Sequence, residues 1–101
     1  MIPASGQYEL VTPFETIQRK LSDAVLHNNS AIAVVYLDST GYECNLHFDI
    51  VRIEFEEDGI ALRRVHGFVA IESADVPTID VTLALDHSTG EWKAHVEWLK
   101  I

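Results

Sequence analysis

From Tyr42 to Glu72 the chain carries two apolar alternations that change phase together, about a turn at Glu56-Glu57-Asp58-Gly59. The outgoing arm places Tyr42, Cys44, Leu46, Phe48 and Ile50 at even positions, then Val51, Ile53 and Phe55 at odd ones. The return arm runs through Ile60 and Leu62, then shifts to Val65, Val69 and Ile71. This predicts one long β-hairpin. With Phe55 opposite Ile60, Ile53 faces Leu62, Val51 faces Arg64, Ile50 faces Val65, Leu46 faces Val69 and Cys44 faces Ile71. Both arms then change face at one level. Side chains alternate strictly along a strand, so a joint shift needs a bulge, a sharp bend, or a hairpin whose halves bury opposite faces. Gly67, opposite Phe48 in this register, marks the point of easiest close backbone approach. Either the sheet coils so that both faces reach one core, or the distal half turns Val51, Ile53, Phe55, Ile60 and Leu62 outward toward a second subunit or partner.

The rest of the chain is laid against that hairpin. Residues 1–6 read as a loose leader and Gln7 to Val11 as a short edge strand. Thr12-Pro13-Phe14-Glu15 predicts a helix start, with Thr12 as N-cap, Pro13 in the first position and Glu15 in the third. Phe14, Ile17, Leu21, Ala24 and Val25 share one helical face; Glu15, Gln18, Arg19, Ser22 and Asp23 share the other. The helix should end near His27, because Asn28-Asn29 accept a left-handed cap. Ala31 to Leu37 is apolar on both alternations, as an interior strand is, and Asp38-Ser39-Thr40-Gly41 is a turn. Leu37 opposite Tyr42 sets Ala31 and Ala33 against Phe48 and Leu46, small residues that leave room for the helix. Ile32, Val34 and Tyr36 then lie on the far face beside His47, Asn45 and Glu43.

Ser73 to Thr78, with Pro77, reads as a connection. Ile79 to Leu85 alternates, Asp86-His87-Ser88-Thr89-Gly90 turns, and Glu91 to Ile101 returns. Pairing Leu85 with Trp92 sets Leu83 against Ala94, Val81 against Val96 and Ile79 against Trp98, with both tryptophans expected to anchor the core. The fold class is therefore α+β, a single domain over 1–101: one N-terminal helix packed across a strongly curved antiparallel sheet of four to six strands. That order resembles the cystatins, in which a helix lies across a curled sheet. The resemblance implies layout alone. Leu37-Asp38-Ser39-Thr40-Gly41 does not carry that family's Gln-x-Val-x-Gly loop, and His87 to Trp92 lacks its Pro-Trp pair, so no protease inhibition is implied.

Sixteen acidic against seven basic residues give a formal charge of -9, which opposes binding to nucleic-acid phosphates or anionic membranes and favours a basic partner. One cysteine excludes an internal disulfide and a multi-cysteine zinc site, and Cys44 reads as a small core residue. The first residues carry no signal-like pattern and no stretch reaches membrane-span length, so a soluble, cytoplasmic protein is expected.

Five histidines show no metal-ligand spacing. His47 and Cys44 should point to opposite faces. On the last hairpin Asp80 faces Glu97 and Thr82 faces His95, a group that could bind a divalent ion or form an ordinary solvated surface. Ser39 and Ser88 are turn serines beside aspartates. No catalytic residue, metal or cofactor is expected. The candidate partner-binding set lies at the hairpin tip: Glu54, Glu56, Glu57 and Asp58 around Ile53, Phe55, Ile60 and Leu62, charge for steering beside apolar area for affinity. Arg52 should face Arg63, with Glu54 offsetting the pair. The expectation is a small acidic protein that neutralises a basic macromolecule, as an immunity protein or inhibitor of a toxin nuclease or an anti-CRISPR-like nucleic-acid mimic. The alternatives are a homodimer formed through the distal hairpin, or a small-ligand binder or enzyme using the concave sheet face with His47 or His95.

Overall fold

In the computed structural model, which describes residues 4–59, 61–69 and 79–99, the chain forms β1 (Gly6–Glu9), α1 (Phe14–Leu26), β2 (Ala31–Leu37), β3 (Glu43–Phe55), β4 (Leu62–Val69), β5 (Ile79–Asp86) and β6 (Glu91–Trp98). The strands make one antiparallel sheet in the order β1-β6-β5-β4-β3-β2. It curls into a half-barrel with α1 across its concave side. The two edges meet: Leu10, just past β1, bridges Tyr36 of β2, and Val11 N–H donates to the Val35 carbonyl at 2.8 Å.

That closure uses Thr12. Its hydroxyl accepts the Val35 N–H at 2.7 Å, and its own N–H donates to the Val35 carbonyl at 3.3 Å. The expected capping box does not form, because the hydroxyl is spent across the sheet. The N-cap is Pro13, with extended backbone, and its carbonyl accepts from Thr16 and Ile17. At the other end Asn28 takes φ 53°; Asn28 N–H reaches the Val25 carbonyl and Asn29 N–H the Ala24 carbonyl. This is the Schellman pattern expected of a left-handed Asn cap.

Ile17, Leu21 and Ala24 are buried on the sheet, but Val25, expected on that face, is 73% exposed. The inward face of β2 is also the reverse of the expected one. Ile32 pairs with Phe48, Val34 with Leu46 and Tyr36 with Cys44, so these three fill the core while Ala31 and Ala33 do not. The cause is the turn. The Asp38 carboxylate accepts N–H groups from Thr40 and Tyr42, at 2.9 and 3.0 Å, and Asp38 N–H donates to the Tyr42 carbonyl. Tyr42 is thereby drawn into the loop, Leu37 pairs with Glu43, and a one-residue slip exchanges the faces of the whole strand.

The β3–β4 hairpin resolves its phase change with two irregularities. The pairs run Asp49 with Phe68 and Ile50 with Gly67, skip Val51, resume at Arg52 with His66, then skip Arg63 between Arg64 and Leu62. The extra residue in each arm accounts for the shared shift, and Phe55 pairs with Leu62 where Ile60 was expected. Arg52 therefore lies opposite His66, not Arg63. Ile53 packs against the core and Leu62 is buried, as coiling into one core requires, while Val51 and Phe55 stay exposed. Gly67 faces Ile50 and Val81, and a Cβ there would overlap the Asp49 carbonyl and stand 2.7 Å from the Phe48 ring. The β5–β6 register is the expected one throughout. Its tryptophans sit at the margin: Trp92 stacks on Phe14 at 5.2 Å between ring centroids, and Trp98 is 40% exposed. Ile60, Ile71 and the connection at 73–78 lie outside the described residues.

Candidate functional site

The concave side of the sheet is filled by Ile17, Val65, Ile79, Val81 and Leu83. Open apolar surface lies instead where the C-terminal half of α1 overlooks the distal hairpin. The Val51 bulge puts the odd residues Ile53 and Phe55 on the helix side of β3, and the Arg63 bulge puts Leu62 on the same side of β4. Across from them α1 presents Gln18, Leu21, Ser22, Val25 and Leu26, leaving a groove of about 490 Å³. Leu26 is 78% exposed and Phe55 52%. Such a contiguous apolar surface is what docking faces use.

The tip beside it is acidic. Glu56 N–H donates to the Ala61 carbonyl and Gly59 N–H to the Glu56 carbonyl, both at 2.8 Å, with Gly59 at φ 72°. The Asp58 carboxylate accepts the Ala61 N–H at 3.0 Å, so it shapes the loop as well as charging it. Glu56, Glu57 and Asp58 then border a second depression with Phe55, Arg63 and His87. Glu54 points the other way. On the convex face it lies between Arg52 and Arg64, each at 3.4 Å, largely neutralised. The structure thus brings Ile53, Phe55 and Leu62 to one groove, sets Glu56, Glu57 and Asp58 in the turn at its end, and turns Glu54 away from the groove onto two arginines.

Val25 and Leu26 are the site residues that sequence reasoning missed. The sequence signals Leu26 alone: at about 100° per residue it falls opposite Ile17, whereas Val25 lies at the margin of the stripe of Ile17, Leu21 and Ala24.

Asp80 does lie opposite Glu97 and Thr82 opposite His95, and His66 Nε2 stands 3.5 Å from an Asp80 oxygen. Among the described residues no three His, Cys, Asp or Glu side chains gather as metal ligands. His47 and His95 are exposed on the convex face, away from the concave side. Ser88 donates to Asp86 at 2.6 Å and Thr40 to Asp38 at 2.7 Å. The Ser88 hydroxyl, the Lys93 ammonium at 2.9 Å and the Ser88 N–H hold the Asp86 carboxyl well below the ordinary carboxylate range. The Thr40 hydroxyl and the Tyr42 N–H lower Asp38 likewise. These are turn-stabilising aspartates. Cys44 packs against the core edge with its thiol 3.7 Å from Asp38. Among the described residues no helix is long and apolar enough to cross a membrane.

No protein-family model, curated protein or solved structure matches this chain.

Proposed function

We propose that this is a small acidic binding protein that neutralises a basic macromolecular partner, as an immunity protein or inhibitor of a toxin nuclease does. The observation that carries this reading is the juxtaposition of an exposed apolar groove with the acidic tip of the same hairpin. Apolar area excludes water and holds a docked partner, while clustered charge steers encounter and selects the sign of that partner. A formal charge of -9 extends the selection over the whole surface.

The test compares the wild type with Glu56→Lys/Glu57→Lys and with Phe55→Glu, each immobilised and exposed to lysate of the source cell. Asp58 is left in place because its carboxylate holds the turn. A basic protein should be retained by the wild type at low salt, released at high salt, and lost with either variant; its nuclease activity should fall when the wild type is added back. Equal retention by all three, or an unaffected activity, would overturn the reading.

A further inference from the structure

We infer that β3 has an open edge at Ile53 and Phe55 that receives a strand from the partner, with apolar and basic side chains alternating along it. This rests on the reading of the hairpin as the docking face of a basic protein, and specifies how that protein is held.

β3 outruns its neighbour. β2 pairs with it from Glu43 to Asp49, and the last bond on that side is Ile50 N–H to the Ser30 carbonyl at 2.6 Å. Beyond Ile50, among the described residues, nothing pairs with that side of β3. The direction of the backbone groups there follows from two bonds. Ile50 N–H points to the β2 side, whereas Glu56 N–H points to the β4 side, at Ala61. One extra residue, Val51, lies between, and it reverses which positions face which way. The second irregularity belongs to β4, at Arg63, so β3 alternates without interruption from Arg52 to Glu56. Ile53 and Phe55 therefore turn their N–H and C=O groups away from β4, into the open side. An unpaired row of this kind is a template for strand addition, which supplies affinity through main-chain bonds and specificity through alternate side chains.

Those side-chain positions have defined chemistry. On the concave side an added strand would lie over Val25, Leu26 and Phe55 and favour apolar residues. On the convex side Glu54 is already shared between Arg52 and Arg64, which leaves Asp49 and Glu56 along β3 to favour Lys or Arg. A second copy of this chain would bring its own charge of -9, so a basic strand is the better fit.

The test is amide hydrogen exchange by NMR on the full chain, alone and with an acetylated, amidated Lys-Val repeat peptide. Controls are its Glu-Val counterpart and the Lys-Val peptide N-methylated on the edge that would face β3. In the protein alone, Ile53 and Phe55 amides should exchange rapidly while Arg52 and Glu54 are protected. The Lys-Val peptide should slow Ile53 and Phe55 by about tenfold or more; the other two peptides should not. Prior protection of both amides that is independent of protein concentration would show that the edge is closed. Protection that grows with protein concentration alone would assign the edge to a second copy. Either result overturns the inference, as does failure of the Lys-Val peptide to bind. Binding without slowed exchange at Ile53 and Phe55 overturns it too, yet leaves the acidic-tip reading standing, since that is decided separately by the Glu56 and Glu57 reversals.

Discussion

Gly67 and Tyr36 hold the interior of the half-barrel in opposite ways, one by lacking a side chain and one by burying a polar one. At Gly67 a methyl group would meet the Asp49 backbone and the Phe48 ring, and neither is the flexible end of a side chain. Gly67→Ala should therefore destabilise by about 3 kcal/mol, the upper end of overpacking, read as a lower urea midpoint with an unchanged slope. The need for close approach at Gly67 was legible in the sequence because a glycine stood amid an apolar alternation. Tyr36 was not legible, since its face depended on a turn length. It is buried, and that burial, then the Cys44 thiol, then Tyr8 and Asp38, push its phenol up to about 12. The unfolded chain loses this proton near the ordinary tyrosine value of about 10, while the folded protein keeps it. Stability from this group is complete below that value and falls as pH rises toward the folded one. A difference of about two units corresponds to roughly 2 to 3 kcal/mol. Tyr36→Phe should flatten this alkaline limb of a stability-versus-pH curve; an unchanged limb would show that another group governs it.

At the scale of elements, what could be read depended on how local the controlling interaction was. The β5–β6 register was legible because one alternation and one short turn determine it. The β3–β4 phase change announced its bulges, though not their positions, since register is decided by pairing across the hairpin and not within an arm. β2 lies one residue out of the register its apolar pattern predicts because the Asp38 carboxylate enlarges its turn, an interaction invisible to a pattern of apolar positions. Thr12 has all the local signals of an N-cap and is recruited by a distant strand instead. This gives a separable expectation. Thr12→Val should cost about 1 kcal/mol, the net worth of a hydrogen bond, and speed exchange of the Val35 amide. Amides of the first turn of α1 should be unaffected; faster exchange there would mean that Thr12 caps the helix after all.

The molecule as a whole divides its apolar surface between folding and something else. The sheet curls until its edges meet at Leu10 and Tyr36, a pairing between distant segments that no local pattern could signal. No local pattern signals the groove either, because it exists only where α1 and the distal hairpin are brought together. Leu26 is too exposed to support the monomer, so Leu26→Ser should change stability by no more than about 0.5 kcal/mol, measured by urea unfolding. Charge acts globally as well. A formal net charge of -9 on 101 residues means self-repulsion within the compact state, which salt screens. Added sodium chloride should therefore raise the melting temperature even as it weakens attraction to a basic partner. Glu56→Lys/Glu57→Lys adds two charges per substitution and takes -9 to -5; it should be more stable than wild type at low salt and less salt-dependent, with the stability difference narrowing as salt rises. A lower melting temperature for this variant at every salt concentration would mean that Glu56 and Glu57 support the turn itself. Greater stability together with loss of the partner would mark them as charges retained for binding at the expense of the fold.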